Sequence, residues 1–149
     1  HTATRQHNTT QHARMSPATQ PPPLHAAHEY SFSDGILTFA PHGPVLPEHA
    51  AQLVSLFRQH ARAGQPLPCL FDMTGAPAPT PAARRVIVDY FRCEKPQIVI
   101  ATHGAPLHVR AMLALVGAAA RVVGGYALQV SHFDTRESAC QYLRTLPSA

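Results

Sequence analysis

The chain has 149 residues and a nominal charge of +4, with 45% hydrophobic and 13% charged residues. That is one domain's worth of chain with apolar material for a sizeable core. Arg5 and Arg14, in a polar leading segment, supply two of the four charges, and no basic cluster is interleaved with aromatics, which excludes a nucleic-acid-binding protein.

Lys95 is the only lysine among many arginines, and alanine and proline are abundant. This composition points to a GC-rich, bacterial source. The three cysteines, Cys69, Cys93 and Cys140, are odd in number and form no CxxC. They read as buried free thiols in a reducing compartment, hence a cytoplasmic protein. The polar, histidine-rich start is not a signal peptide. The longest apolar run, 111–120 between Arg110 and Arg121, is about half of the roughly 20 residues a spanning helix needs.

Residues 1–27 hold few large apolar groups, many Gln, Thr and His, and Pro21-Pro22-Pro23. Such a segment cannot offset its ordering entropy and reads as a disordered tail. Met15-Ser16-Pro17 resembles a natural start, which marks 1–14 as candidate non-native sequence.

Two short strands follow at 29–32 and 36–39. Asp34-Gly35 between them is the strongest short-range signal of a hairpin. A helix is predicted over 47–63, with Leu53, Val54, Leu56 and Phe57 as its apolar stripe and Gly64 as its stop. The stretch 67–85 is the pivot of the chain. Its apolar run Cys69-Leu70-Phe71 reads as a buried strand ending in Asp72-Met73-Thr74-Gly75. A Pro-rich turn then leads to Thr80-Pro81, an N-cap followed by proline at the first helical position. That helix, 81–92, turns Val86, Ile87, Tyr90 and Phe91 inward, and Pro96 breaks the chain after it.

The β-branched run 97–101 is typical of a strand covered on both faces. Thr102-His103-Gly104 is expected to turn the chain into a helix over 105–123. Leu107, Met112, Leu113, Leu115, Val116, Ala119, Val122 and Val123 leave that helix little polar face. It is therefore either deeply buried or presents a second contact surface. Gly124-Gly125 ends it, a strand spans 126–133, and the last helix covers 135–146 with Asp134-Thr135 as its cap. The order β-β-α-β-α-β-α-β-α implies an α/β fold: a hairpin, then a mixed, mainly parallel sheet reached by right-handed crossovers.

This order, with Phe71-Asp72-Met73-Thr74 after a buried strand, resembles the STAS domain, the fold of anti-sigma-factor antagonists and sulfate-transporter tails. The junction Phe133-Asp134-Thr135 with Ala139 and Leu143 is similar to the STAS-like proteins of myxobacterial type. The resemblance covers 29–146 and rests on topology more than on residues. It implies a STAS-like domain over 28–147 that works as a regulatory, protein-interacting module without cofactors, with Thr80 near the phosphoacceptor position. The family's Asp-Ser-Ser-Gly turn is replaced here by Ala76-Pro77-Ala78-Pro79-Thr80-Pro81.

Ligands of parallel sheets bind beyond the carboxyl ends of the strands. A rim of Asp72, Thr74, Thr80, His103, His108 and Arg110 is the candidate site for a ligand or partner. His42, His103, His108 and His132 show no metal-ligand spacing, so no metal site is expected. Ser131, His132 and Asp134 alternate across strand faces and make no triad. The expected function is a non-catalytic module docking a protein partner, with a homodimer and membrane contact without spanning as further options. The alternative is a small-ligand or lipid-binding protein using the rim and the helix 105–123. A distant third is an enzyme with His103 and Asp72 as acid and base.

Overall fold

The Asp34-Gly35 pair turns the chain as its composition demands. Both residues have positive φ, 53° and 77°, the conformation of a tight turn matched to the twist of a hairpin. The computed structural model describes residues 28–124 and 128–147; the tail expected over 1–27 lies outside them. The hairpin joins β1 (His28–Ser33) to β2 (Ile36–Pro41), paired antiparallel from His28 opposite Pro41 to Ser33 opposite Ile36.

The alternating elements are α1 (Pro47–His60), β3 (Leu67–Asp72), α2 (Pro81–Glu94), β4 (Ile98–His103), α3 (Leu107–Gly124), β5 (Leu128–Phe133) and α4 (Arg136–Arg144). The five strands lie in sequence order, β1-β2-β3-β4-β5, and β2 to β5 run parallel. The mixed, mainly parallel α/β sheet read from the sequence is the observed one.

Strand alternation divides the core in two. Leu37, Phe39, Cys69, Phe71, Ile98, Ile100 and Leu128 point to one face and pack with α1, α2 and α3. Leu70, Val99 and Ala101 point to the other, where Ala139 and Leu143 of α4 cover them. Phe57 of α1 and Tyr90 of α2 stack at 5.9 Å. Arg58 lies 5.4 Å over the Tyr90 ring and pairs with Glu94 at 2.6 Å.

Three points of the sequence reading are corrected. The first helix ends at His60, and Gly64 instead serves a turn closed by an Arg62–Gln65 bridge. Pro66 follows directly, and the chain must straighten before β3. Thr102 and His103 are not a turn but the end of β4, in register with Phe71 and Asp72 on one side and His132 and Phe133 on the other. Neighbours on both sides extend the ladder past the β-branched run, and the turn begins at Gly104 (φ 69°). Cys69 is buried and Cys140 half-buried, but Cys93 is exposed on the wet side of α2.

The helix that the sequence left between two readings has an open side. Val109, Met112 and Gly117 of α3 are buried, whereas Leu107, Leu115 and Val122 are 82%, 71% and 87% exposed. No helix among the described residues is long and apolar enough to cross a membrane.

Tyr30 packs on Phe39 at 5.1 Å, and its hydroxyl is buried without a hydrogen-bond partner among the described residues. Burial pushes its pKa up to about 12. An unsatisfied buried hydroxyl costs about 1–3 kcal/mol, so Tyr30→Phe should raise stability by about 1 kcal/mol in urea unfolding.

Candidate functional site

At the carboxyl end of β3 the Asp72 carboxylate accepts the Thr74 backbone N–H at 3.1 Å, and the Thr74 hydroxyl also bonds it. Burial alone pushes the Asp72 carboxyl up. The two Thr74 bonds, with His103 and Arg136 nearby, outweigh it and hold the pKa below the ordinary value. His103 is the register neighbour of Asp72 on β4, its Nε2 3.7 Å from Oδ1. That is an ion-pair separation and longer than a hydrogen bond. Nε2 is buried and has no hydrogen-bond partner among the described residues.

The loops beyond these strands interlock. The Met73 N–H donates to the His103 carbonyl at 3.0 Å. A Cβ at position 104 would fall on Thr74 Oγ1, so only glycine lets the β4–α3 turn pass this close.

Thr102 and His132 point to the opposite sheet face. Thr102 is fully buried, and its Oγ1 lies 2.6 Å from His132 Nδ1. Burial, then the nearby Arg110, hold His132 below its ordinary pKa. Arg110 donates from Nε to the Ala105 carbonyl at 3.0 Å and reaches Asp134 at 3.6 Å. Thr80 stands apart again. Its Oγ1 accepts from Ala83 N–H at 3.2 Å, as the cap reading expects, and donates to the Val45 carbonyl at 3.3 Å. Both sides of the hydroxyl are engaged, so phosphoryl transfer to it requires giving up Val45. His108 is exposed in the first turn of α3.

The six rim residues therefore do not form one pocket. Asp72, Thr74 and His103 come together on the α4 side. Arg110 joins Thr102, His132 and Asp134 on the other side. Thr80 ties α2 to the loop before α1. The acid–base reading needed a hydrogen-bonded Asp72–His103 pair at an open cavity, and a sealed Nε2 with no such bond does not supply it. No three His, Cys, Asp or Glu side chains stand together as a metal site among the described residues.

One polar arrangement has no sequence signal. His28, at the start of β1, and His49, in the first turn of α1, are both buried, with Nε2 of His28 2.9 Å from Nδ1 of His49. The His42 N–H donates to Nδ1 of His28 and the Leu46 N–H to Nδ1 of His49, each at 3.1 Å. Two backbone donors fix both tautomers: each Nδ1 must be unprotonated, so Nε2–H of His28 donates to His49. Burial, then His49 and His42, lower the His28 pKa, against a smaller upward pull from the Pro44 backbone. Their separation of 21 residues matches no motif.

An apolar cavity of about 50 Å³ lies under α2 and α3, lined by Phe57, Phe71, Ile87, Phe91, Met112 and Leu113. It has room for a small apolar fragment but not an acyl chain. The larger apolar surface is outside, on α3. Leu107, Ala111, Ala114, Leu115, Ala118 and Val122 are all exposed. At 100° per residue they fall in one stripe.

No family model matches this chain, and no curated protein matches it in sequence. Among solved structures it is similar to an uncharacterized protein of the DUF3478 family with a SpoIIAA-like fold from Shewanella loihica. The identity is 16% and the TM-score 0.53, over 78% of this chain and 92% of that one. A protein given as an anti-sigma factor antagonist of Thermotoga maritima aligns at 15% identity and a TM-score of 0.49, over 80% of this chain and 97% of that one. The likeness to the Shewanella protein shows that this chain has the SpoIIAA-like, or STAS-like, fold.

Thr80→Ala removes a cap and should cost about 1 kcal/mol of stability in urea unfolding. Because the folded state holds His28 and His132 below their ordinary pKa of 6.5, it binds fewer protons than the unfolded chain. The stability they contribute is present above that value and lost as pH falls below it. The thermal midpoint should drop from pH 7.5 to pH 5, and His28→Leu should flatten part of that slope.

Proposed function

We propose that this chain is a non-catalytic regulatory module of the bacterial cytoplasm that acts by docking a protein partner on the exposed face of α3. The observation that carries the reading is the stripe from Leu107 to Val122, three large apolar side chains left in water. Exposed apolar patches of this kind mark contact surfaces. The SpoIIAA-like fold agrees with a module that binds a partner.

The occupant that fits is an amphipathic helix with acidic residues on its rim. A helical ridge receives another helix by ridge-into-groove packing, and the flanking Arg110 and Arg121 complement acidic groups. Thr80 is the regulatory point within this scheme: a phosphoryl group there would remove the hydroxyl bond to the Val45 carbonyl and leave only the backbone N–H bond of Thr80 to that carbonyl, loosening the loop before α1. Binding of a lipid chain inside the fold is the weaker reading, because the apolar interior cavity is too small for one.

Leu115 is the residue to change. Leu113, half-buried against the core, would report on folding instead. The partner recovered from the native cell should be purified and rebound in isolation. Leu115→Asp should weaken that binding at least tenfold, roughly the value of one buried leucine, with the circular dichroism spectrum unchanged. Equal binding by wild type and Leu115→Asp would rule out α3 as the docking face.

A further inference from the structure

The exposed stripe of α3 is nearly a palindrome. Read from its midpoint between Ala114 and Leu115, Ala111 mirrors Ala118 and Leu107 mirrors Val122. We infer that α3 pairs antiparallel with α3 of a second copy about a twofold axis at that midpoint. The inference rests on reading this face as a contact surface and names its first occupant.

A twofold interface must be self-complementary: if one position meets another, the reverse contact also forms. The stripe satisfies this with Leu or Val at both ends, alanines inside them and Leu115 beside the axis. Leu107 meets Val122 of the second copy, Ala111 meets Ala118, and Ala114 meets Leu115. Ala111, Ala114 and Ala118 leave room between the two backbones for the Leu115 side chain of each copy, while the terminal Leu and Val cover the ends. Every exposed side chain within about 50° of the stripe's midline, at 100° per residue, is Leu, Ala or Val.

The charges support the same register. Arg110 and Arg121 lie on one flank of the stripe. A twofold axis perpendicular to the helices brings like flanks together, so Arg121 of the second copy approaches Arg110. Asp134 stands there already, its side chain 97% exposed and 3.6 Å from Arg110. The carboxylate offsets the meeting of the two guanidinium groups and gives Arg121 of the second copy a partner. His108 lies on the other flank. One helix pair of five turns makes an interface at the low end of specific ones, roughly 1,000 Å² in total. The dimer is therefore dissociable, and its formation hides the docking face from other proteins.

Sedimentation of the purified full chain should show a monomer–dimer equilibrium. Leu115→Asp, which alters both copies, should weaken it roughly a hundredfold with the fold intact. Asp134→Arg should weaken it too, and adding Arg121→Asp should restore it. Register is read by oxidation in a Cys93→Ser, Cys140→Ser background. Ala114→Cys should give a covalent dimer. Leu107→Cys should not, because its own copy lies roughly 22 Å away along the axis, yet it should link to Val122→Cys when the two are mixed. A monomer at every concentration overturns the inference. So does Leu107→Cys linking to itself as readily as Ala114→Cys. A monomer that floats with phosphatidylglycerol vesicles through Leu115 would assign the face to lipid and also overturn it. A monomer that still binds the purified partner through Leu115 would end the dimer and leave the docking function standing. A dimer whose Leu115→Asp variant keeps full partner binding would do the reverse.

Discussion

The constraint on which the rest depends is the two-residue alternation of β3, β4 and β5 in a parallel sheet with helices on both faces. It fixes which side of the sheet each strand-end group serves. Phe71, Thr102 and His132 share one cross-strand row, and Asp72, His103 and Phe133 the next. Because successive rows face opposite ways, the polar groups at the strand ends cannot converge. The shared edge becomes two small networks, one under α4 and one beside α3. Their contacts are local, Thr74 on Asp72, Thr102 on His132, and Arg110 on the Ala105 carbonyl, and His103 Nε2 has no hydrogen-bond partner among the described residues. Groups held this way brace the edge of the sheet.

The same alternation explains how the helices are used. Three crossovers lay α1, α2 and α3 on one face, and among the described residues α4 alone covers the other over β3 to β5. In the row of three, α2 is flanked on both sides, and α3 stands at the end of the row over β5 with no further helix beyond it among the described residues. A helix rich in apolar groups all round, placed at an end, must leave one side in water. Its position thus turns a hydrophobic composition into a surface.

The hairpin is tied down by a different means. Its first strand sits at the sheet's edge, where it has one neighbour in the ladder. The His28–His49 pair anchors that edge to the start of α1 through two fixed backbone donors. His28, held below its ordinary pKa, must be unprotonated at Nδ1 to accept the His42 N–H, which links the anchoring of this edge strand to pH. Tyr30 and Phe32, on the same strand, add ring contacts with Phe39 and His60.

The sequence by itself determined the order of elements, the Asp34-Gly35 turn, the Thr80 cap and the parallel sheet, because each rests on local backbone preference or on a hydrophobic period of two or about 3.6. It also singled out residues 105–123 as unusually apolar, but a period cannot say whether a neighbour covers a face. The tertiary structure decided that, by placing α3 at the end of its row. It likewise lengthened β4 to His103, since ladder pairing on both sides outweighs a local turn signal. It separated the six rim residues and brought His28 to His49, 21 positions away. Proximity in the chain carries no information about which sheet face a side chain meets, and only assembled strands supply it.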